Sequence, residues 1–334
     1  MLASAAGAFQ HAPIVRANTV TFVAVGDASD PPRIVGDFNG WQGSDMTPAA
    51  DGRTYTLQVT LHPAARIEYL IAYKGRFVRD SGNPLTVPAP AGSPRSELRM
   101  PGYRPALTLP PSPTRGTIEE VPFMSRRGQP RRIRVYVPAT SSREEKPILY
   151  VHDGDIVIGV LELPRVLDAL ISTGRMTPAF VAFIDAVDRH EDYAPGSQFR
   201  SVFTTEIVPM LERRYRVARD RRALLGLSRS TVGALDTCAH GAVAFEACAL
   251  LAPAIPLKQF EAVLPPAGSQ TRVLIETGTY DVPLITDARA LGRALEHRAV
   301  PVHYVESPEG HNHTAFRARL PVLMEQLFSV RRAQ

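Results

Sequence analysis

The pentapeptide Gly226-Leu227-Ser228-Arg229-Ser230 constrains this chain more than any other stretch. An apolar run, Ala223-Leu224-Leu225, leads into it, and a helix-compatible segment, Thr231 to Ala239, leads out. A strand that turns into a helix over so few residues needs small residues where the two backbones cross. Gly226 is one, and Ser230 stands where the pattern G-x-S-x-G has its second glycine. A serine is small enough for the crossing to survive. Such a turn points the Ser228 hydroxyl out of the sheet and places it at a helix N-terminus, where backbone N–H groups can hold an oxyanion. The pentapeptide alone is weak evidence, and an acid and a histidine placed further along the chain make it strong.

A serine activated in this way needs that acid and then the histidine, each on a loop after a later strand. Val273-Leu274-Ile275-Glu276-Thr277 reads as a buried strand, and Gly278-Thr279-Tyr280-Asp281 as the loop leaving it. Val302-His303-Tyr304-Val305 reads as another strand, followed by Ser307-Pro308-Glu309-Gly310-His311. His311 would take the Ser228 proton, and Asp281 would hold the imidazole tautomer and stabilise its charged form. Asp287 is the competing acid, but it falls inside the next expected helix. His313 reads as a residue of the rim or of the following helix N-terminus.

The chain has 334 residues, 44% of them hydrophobic, which suggests two domains. No window of 18 consecutive apolar residues occurs, so no membrane span is expected. The start, Met1-Leu2-Ala3-Ser4-Ala5-Ala6-Gly7-Ala8, has no basic region and no long apolar core, so a secretory signal is not expected. Cys238 and Cys248 read as buried thiols, which fits a cytoplasmic location. Net charge is +5, and all but three of the 38 basic residues are arginine. The arginines are scattered, as in Arg213-Arg214 and Arg331-Arg332, with no clustered basic face, so nucleic acid is not an expected partner. A modest attraction for anionic substrates remains open. The His and Cys spacings form no ligand set, and no metal or organic cofactor is implied.

Residues 1–100 read as a small all-β sandwich, with strands over 19–25, 33–36, 54–61 and 66–73 separated by Gly, Pro, Asp and Asn clusters. Residues 101–115 form a stiff linker, with five prolines between Pro101 and Pro113. From residue 116 to 334 strands alternate with helices. Helices are expected over 160–173, 197–215, 257–264, 285–297 and 314–330. The pattern implies an α/β fold, a mostly parallel sheet with helices on both faces. The segment Asp188–Tyr193 follows a strand at the carboxyl edge of that sheet, where open α/β folds bind ligands. Arg189, His190 and Tyr193 are substrate-contact candidates there. Arg189 has the alternative of pairing with Asp192 or Asp185 and pinning the loop.

Residues 116–330 resemble the esterase D superfamily of α/β-hydrolases, which holds enterochelin esterases, feruloyl esterases and antigen-85 mycolyltransferases. The resemblance rests on Leu149-Tyr150-Val151-His152-Asp153-Gly154-Asp155, Asp188-Arg189-His190-Glu191-Asp192-Tyr193, Asp220-Arg221-Arg222-Ala223 and Pro308-Glu309-Gly310-His311. The last is usually Gly-Gly-His in such proteins. The resemblance implies that Asp155, after the Asp-Gly pair, and Arg229, after the nucleophile, supply the two oxyanion N–H donors. Residues 14–100 resemble early-set domains related to glycogen-binding modules, through Val35-Gly36-Asp37-Phe38-Asn39-Gly40-Trp41 and Phe77-Val78-Arg79-Asp80. Leu70 and Phe77 stand where carbohydrate binders have a lysine and a second tryptophan, which favours a structural or substrate-lid role. Trp41 has the alternative of simply packing the sandwich.

The leading expectation is a serine carboxylic-ester hydrolase working through an acyl-enzyme on a small-molecule ester: siderophore-type, feruloyl-like or small acyl. Acyl transfer on the same triad is the alternative, and so is a vestigial carbohydrate-binding or scaffold protein. The sequence carries no signal for oligomeric state.

Overall fold

The computed structural model describes residues 12–89, 94–105, 109–140 and 142–329. The segment read for a secretory signal, residues 106–108 of the expected linker and Arg331-Arg332 lie outside the described residues. The chain divides into two compact units. The first takes the residues up to Pro105 and two segments that return to it from late in the chain, Gly278–Ile285 and Ser307–Ala315. The second takes the remainder.

The strands of the first unit are β1 (Ile14–Arg16), β2 (Thr19–Val25), β3 (Arg33–Gly36), β4 (Ser44–Asp45), β5 (Thr47–Pro48), β6 (Thr54–Thr60), β7 (Arg66–Tyr73), β8 (Arg76–Val78), β9 (Thr86–Val87) and β10 (Arg95–Arg99). They form two antiparallel sheets, β1-β2-β6-β5 and β4-β3-β7-β10-β9, with β8 paired to β7. Strand β2 shows the cause. Its side chains alternate, so Val20, Phe22 and Ala24 are buried while their neighbours are not. They share one core with Ile34, Tyr55, Ile67, Tyr69, Ile71 and Leu98. The two sheets close on this core as the expected small β-sandwich.

The second unit is built on β11 (Thr117–Glu120), β12 (Ile133–Val137), β13 (Lys146–His152), β14 (Phe180–Ile184), β15 (Val217–Leu227), β16 (Ala247–Leu251), β17 (Arg272–Tyr280) and β18 (Val302–Gly310). They make one sheet in the order β11-β12-β14-β13-β15-β16-β17-β18. The pairs β13–β14, β13–β15, β15–β16 and β16–β17 are parallel. The ends of β17 and β18 run into the two return segments of the first unit.

Every residue of β13 is buried. Ile148 and Tyr150 enter one core and Leu149 and Val151 the other, because successive side chains point to opposite faces and both faces are covered. The helices are α1 (Gly154–Gly159), α2 (Leu163–Ser172), α3 (Arg189–Asp192), α4 (Gln198–Val202), α5 (Val208–Arg214), α6 (Ser230–His240), α7 (Phe260–Val263), α8 (Ile285–His297) and α9 (His313–Phe328). Leu167 of α2 and Leu323 of α9 pack one face, and Leu211 of α5, Leu235 of α6 and Leu291 of α8 pack the other. The expected α/β fold is the one observed.

Three local departures have physical reasons. The helix expected from 160 starts at Leu163, because Glu162 sits at φ +55°. The helix expected over 197–215 contains a π-turn at Phe203–Ile207, just before Pro209, whose missing N–H leaves the preceding turn free to widen. The segment expected as one helix over 257–264 is a 3₁₀ turn, Leu257–Gln259, and the short α7. Among the described residues no helix is long and apolar enough to cross a membrane.

Candidate active site

Strand β15 ends at Leu227, and Ser228 comes next at φ +50°, a conformation strained for any residue with a Cβ. A Cβ on Gly226 would stand 2.7 Å from the Ser230 carbonyl oxygen and 2.8 Å from Thr231 Cα, so only glycine lets the strand cross α6 here. Ser230 is fully buried. Its hydroxyl accepts from the Leu227 N–H at 2.8 Å and donates to the Leu227 carbonyl at 3.0 Å. The serine in place of glycine thus braces the turn, and it is not open to substrate. The Ser228 N–H donates to Leu251 O at 2.9 Å, and Thr231 Oγ1 donates to Ser228 O at 2.5 Å. Arg229 stands at the head of α6, so its N–H belongs to the positive end of that helix.

The end of β13 lies in the same unit. Asp153, not Gly154, carries the left-handed turn there, at φ +57°. Gly154 is required for a different reason: a Cβ would stand 2.8 Å from Phe183 Cβ. The Asp153 carboxylate is almost fully buried and receives Arg189 through Nε and Nη2, both at 2.8 Å. Tyr193 is buried, donates to Asp153 Oδ1 and accepts from the Asp153 N–H, each at 3.1 Å.

Of the alternatives for Arg189, pairing with Asp192 or Asp185 is not what forms; the guanidinium takes Asp153. Asp192 takes Arg131 at 2.7 Å, and Asp185 takes Arg134 at 2.7 Å. Tyr193, expected at the substrate, has its hydroxyl bound into this cluster. His190 is exposed, with its N–H on Asp188 at 2.7 Å. Asp155, expected as an oxyanion donor, has its N–H on Asp185 Oδ1 at 2.7 Å, so that donor is already engaged. Its carboxylate pairs with Arg134 at 2.7 Å.

His152, the last residue of β13, is buried beside Tyr193, Phe199 and Phe203, with ring centroids 5.0 to 5.6 Å away. Neither ring nitrogen has a hydrogen-bond partner among the described residues. Burial pushes its pKa down to about 4, so the imidazole is neutral.

In the first unit, Asp281 lies just after β17 and His311 just after β18. Asp281 is buried, and its Oδ2 lies 2.7 Å from His311 Nδ1. The His311 side chain is 31% exposed. An aspartate at Nδ1 fixes the tautomer that leaves Nε2 to take a proton. Asp287 lies in α8, as expected. His313 is the first residue of α9, and burial holds its pKa below the usual value.

Sequence reasoning missed Asn312, which the structure makes the hub between His311 and the sandwich. Its Nδ2 donates to Asp37 Oδ2 at 3.0 Å, and its Oδ1 accepts from Arg66 Nη1 at 3.1 Å and from the Ala315 N–H at 2.9 Å. These contacts join residues up to 275 positions apart, and no local pattern announces them. Trp41 donates its indole N–H to Asp37 at 3.1 Å, and Arg95 covers its ring at 4.4 Å. Among the described residues no group of three His, Cys, Asp or Glu side chains could hold a metal.

Comparison with known proteins bears on the fold. No curated protein matches in sequence. The enterobactin esterase of Shigella flexneri, solved in the presence of enterobactin, is similar at 19% identity and a TM-score of 0.72, over 95% of this chain and 96% of that one. The ferric enterobactin esterase of Salmonella typhimurium is similar at 15% identity and a TM-score of 0.72, over 95% of each chain. A ferulic acid esterase matches at 17% identity and a TM-score of 0.55, over 64% of this chain and 99% of that one. At such identities the likeness is one of fold. The family model described as "Putative esterase" matches residues 125–327, and the chain belongs to that esterase family.

Proposed function

We propose that this esterase-family protein is a serine carboxylic-ester hydrolase with Ser228 as nucleophile, His311 as base and Asp281 as the orienting acid. The observation that carries the reading is the 2.7 Å hydrogen bond between Asp281 and His311. The strained elbow at Ser228, after another strand of the same sheet, supports it. In the proposed reaction Ser228 Oγ attacks the ester carbonyl and its proton passes to His311 Nε2. The tetrahedral intermediate collapses, and the alkoxide leaves as the alcohol with that proton. Water, deprotonated by the same nitrogen, then attacks the acyl-enzyme and releases the acid and Ser228. The Arg229 N–H is the oxyanion donor in this scheme. The substrate is a small-molecule ester. The neighbour solved in the presence of enterobactin favours a siderophore-type lactone over a simple acetate. The two free cysteines, Cys238 and Cys248, are in keeping with a cytoplasmic setting.

A fluorophosphonate probe with peptide mapping tests the assignment. Ser228 is expected to carry the label, and Ser228→Ala to lose both label and hydrolysis of p-nitrophenyl acetate while keeping its circular dichroism. Labelling that persists in Ser228→Ala would refute it.

A further inference from the structure

The polar cluster inside the first unit has more in it than stability requires. Arg66 is fully buried and bonds Glu97 through Nε at 2.5 Å and Glu68 through Nη2 at 3.0 Å. Its Nη1 goes to Asn312. Asp37 is also buried, and its Oδ2 accepts from the Glu68 N–H at 2.7 Å as well as from Asn312. Burying such a set is costly, and apolar side chains of similar volume would hold a loop at least as firmly. What the polar set adds is direction. Asn312 has acceptors only toward its nitrogen and donors only toward its oxygen, so its amide fits one way round.

His311 lies between two residues fixed on Asp37. On one side is Asn312. On the other is Gly310, where an added Cβ would stand 2.1 Å from Asp37 Cγ, so the backbone runs directly against that carboxyl. The acid's loop is tied down in the same unit. The Tyr280 hydroxyl accepts from the His62 N–H at 2.8 Å, and Gly40 packs against Val282.

We propose that Asp37 and Arg66 are positioning residues that set the His311 imidazole through Asn312. The inference rests on the triad reading and deepens it. Without the anchor the backbone around His311 can shift, and a shift on the order of 1 Å is enough to cost about 10²-fold in rate. Substrate binding is untouched, so the loss falls on kcat.

The test is Asn312→Ser. Serine still caps α9 at the Ala315 N–H, but its hydroxyl is too short to reach Asp37 and Arg66 together. Helix capping is thereby separated from anchoring. Full-length protein is assayed with p-nitrophenyl acetate, with rates normalised to sites titrated by the fluorophosphonate. The expected result is a kcat lower by about 10- to 100-fold with KM within about twofold. The low-field proton resonance of His311 Nδ1 should broaden or shift. Unchanged kcat and an unchanged resonance, with only a lower Tm, would overturn the inference while leaving the triad standing. A wild-type protein that is not labelled at Ser228 would overturn both. If Asn312→Ser does not fold, Asn312→Asp is no substitute. Its carboxyl would stand 3.0 Å from the buried Asp37 and share a proton with it, so Arg66→Lys is used in its place: it keeps a buried cation beside Glu68 and Glu97, removes the Nη1 donor to Asn312, and must lower kcat per titrated site.

Discussion

Replacing His152 by phenylalanine should change how stability depends on pH, by an amount set by burial. The imidazole is enclosed by Tyr193, Phe199 and Phe203 and has no hydrogen-bond partner among the described residues. Arg131 also disfavours its charged form, and Asp153 and Asp192 oppose that more weakly than burial acts. The folded pKa is about 4 against an ordinary 6.5. The sign is decided by which state takes up the proton. Below pH 6.5 the unfolded chain binds a proton that the folded protein refuses until about pH 4, so the wild type loses stability as pH falls through that window. The loss approaches about 1.4 kcal/mol per pH unit, and at pH 5 it amounts to about 2 kcal/mol. Phenylalanine binds no proton, so this loss is absent. Urea unfolding followed by circular dichroism at pH 7.5 and pH 5, for both proteins, isolates the effect. The stability difference between them should move by about 2 kcal/mol in favour of His152→Phe on going to pH 5. Other groups titrate in both proteins and cancel. Parallel loss of stability in the two proteins would refute the buried, neutral, unpartnered imidazole.

Two further outcomes are expected. Gly226→Ala places a methyl 2.7 Å from the Ser230 carbonyl and 2.8 Å from Ala234 Cβ, and should cost about 3 kcal/mol in urea unfolding along with most of the Ser228 labelling; wild-type stability would contradict the crossing geometry. Arg189→Gln leaves the buried Asp153 carboxylate without its cation; because Arg189 is 43% exposed and screened, the expected loss is about 1–2 kcal/mol, with KM for a neutral acetate ester within about twofold, and a tenfold rise in KM at unchanged stability would return Arg189 to the substrate.

The parts of this structure legible in the sequence are those coded locally. Strand β2 announces itself by alternation, β13 and β16 by unbroken apolar runs, and the elbow by residues that touch one another. The strands that lead to Asp281 and His311 are readable from their apolar runs, but their ends are not: residues 278–280 and 307–310, read as loops, continue β17 and β18. Helix α1 is not, since Ile156-Val157-Ile158 has strand-like residues and tertiary packing overrides that preference. The turn at Asp153 and Gly154 misleads for a related reason. Glycine is there for its missing Cβ against Phe183, and aspartate takes the positive φ. Asp155 reads as a free donor until the fold brings Asp185 to it from another strand. The Asp37–Arg66–Asn312 cluster is invisible because its members are scattered across almost the whole chain.

That scatter bears on how the protein is made. Residues 12–105 are made well before the polar centre of their unit can close, because Gly310 and Asn312 arrive more than 200 residues later. Until then Asp37 and Arg66 lack the amide that pairs with both, and closing so long a loop is slow because its entropy is lost before its contacts form. The nascent sandwich thus holds most of its apolar core, short of Tyr280, and is unfinished in its polar one. The residue that completes it adjoins the proposed base, so final consolidation of the earlier-made part and assembly of the proposed catalytic pair become a single late event in the life of the chain.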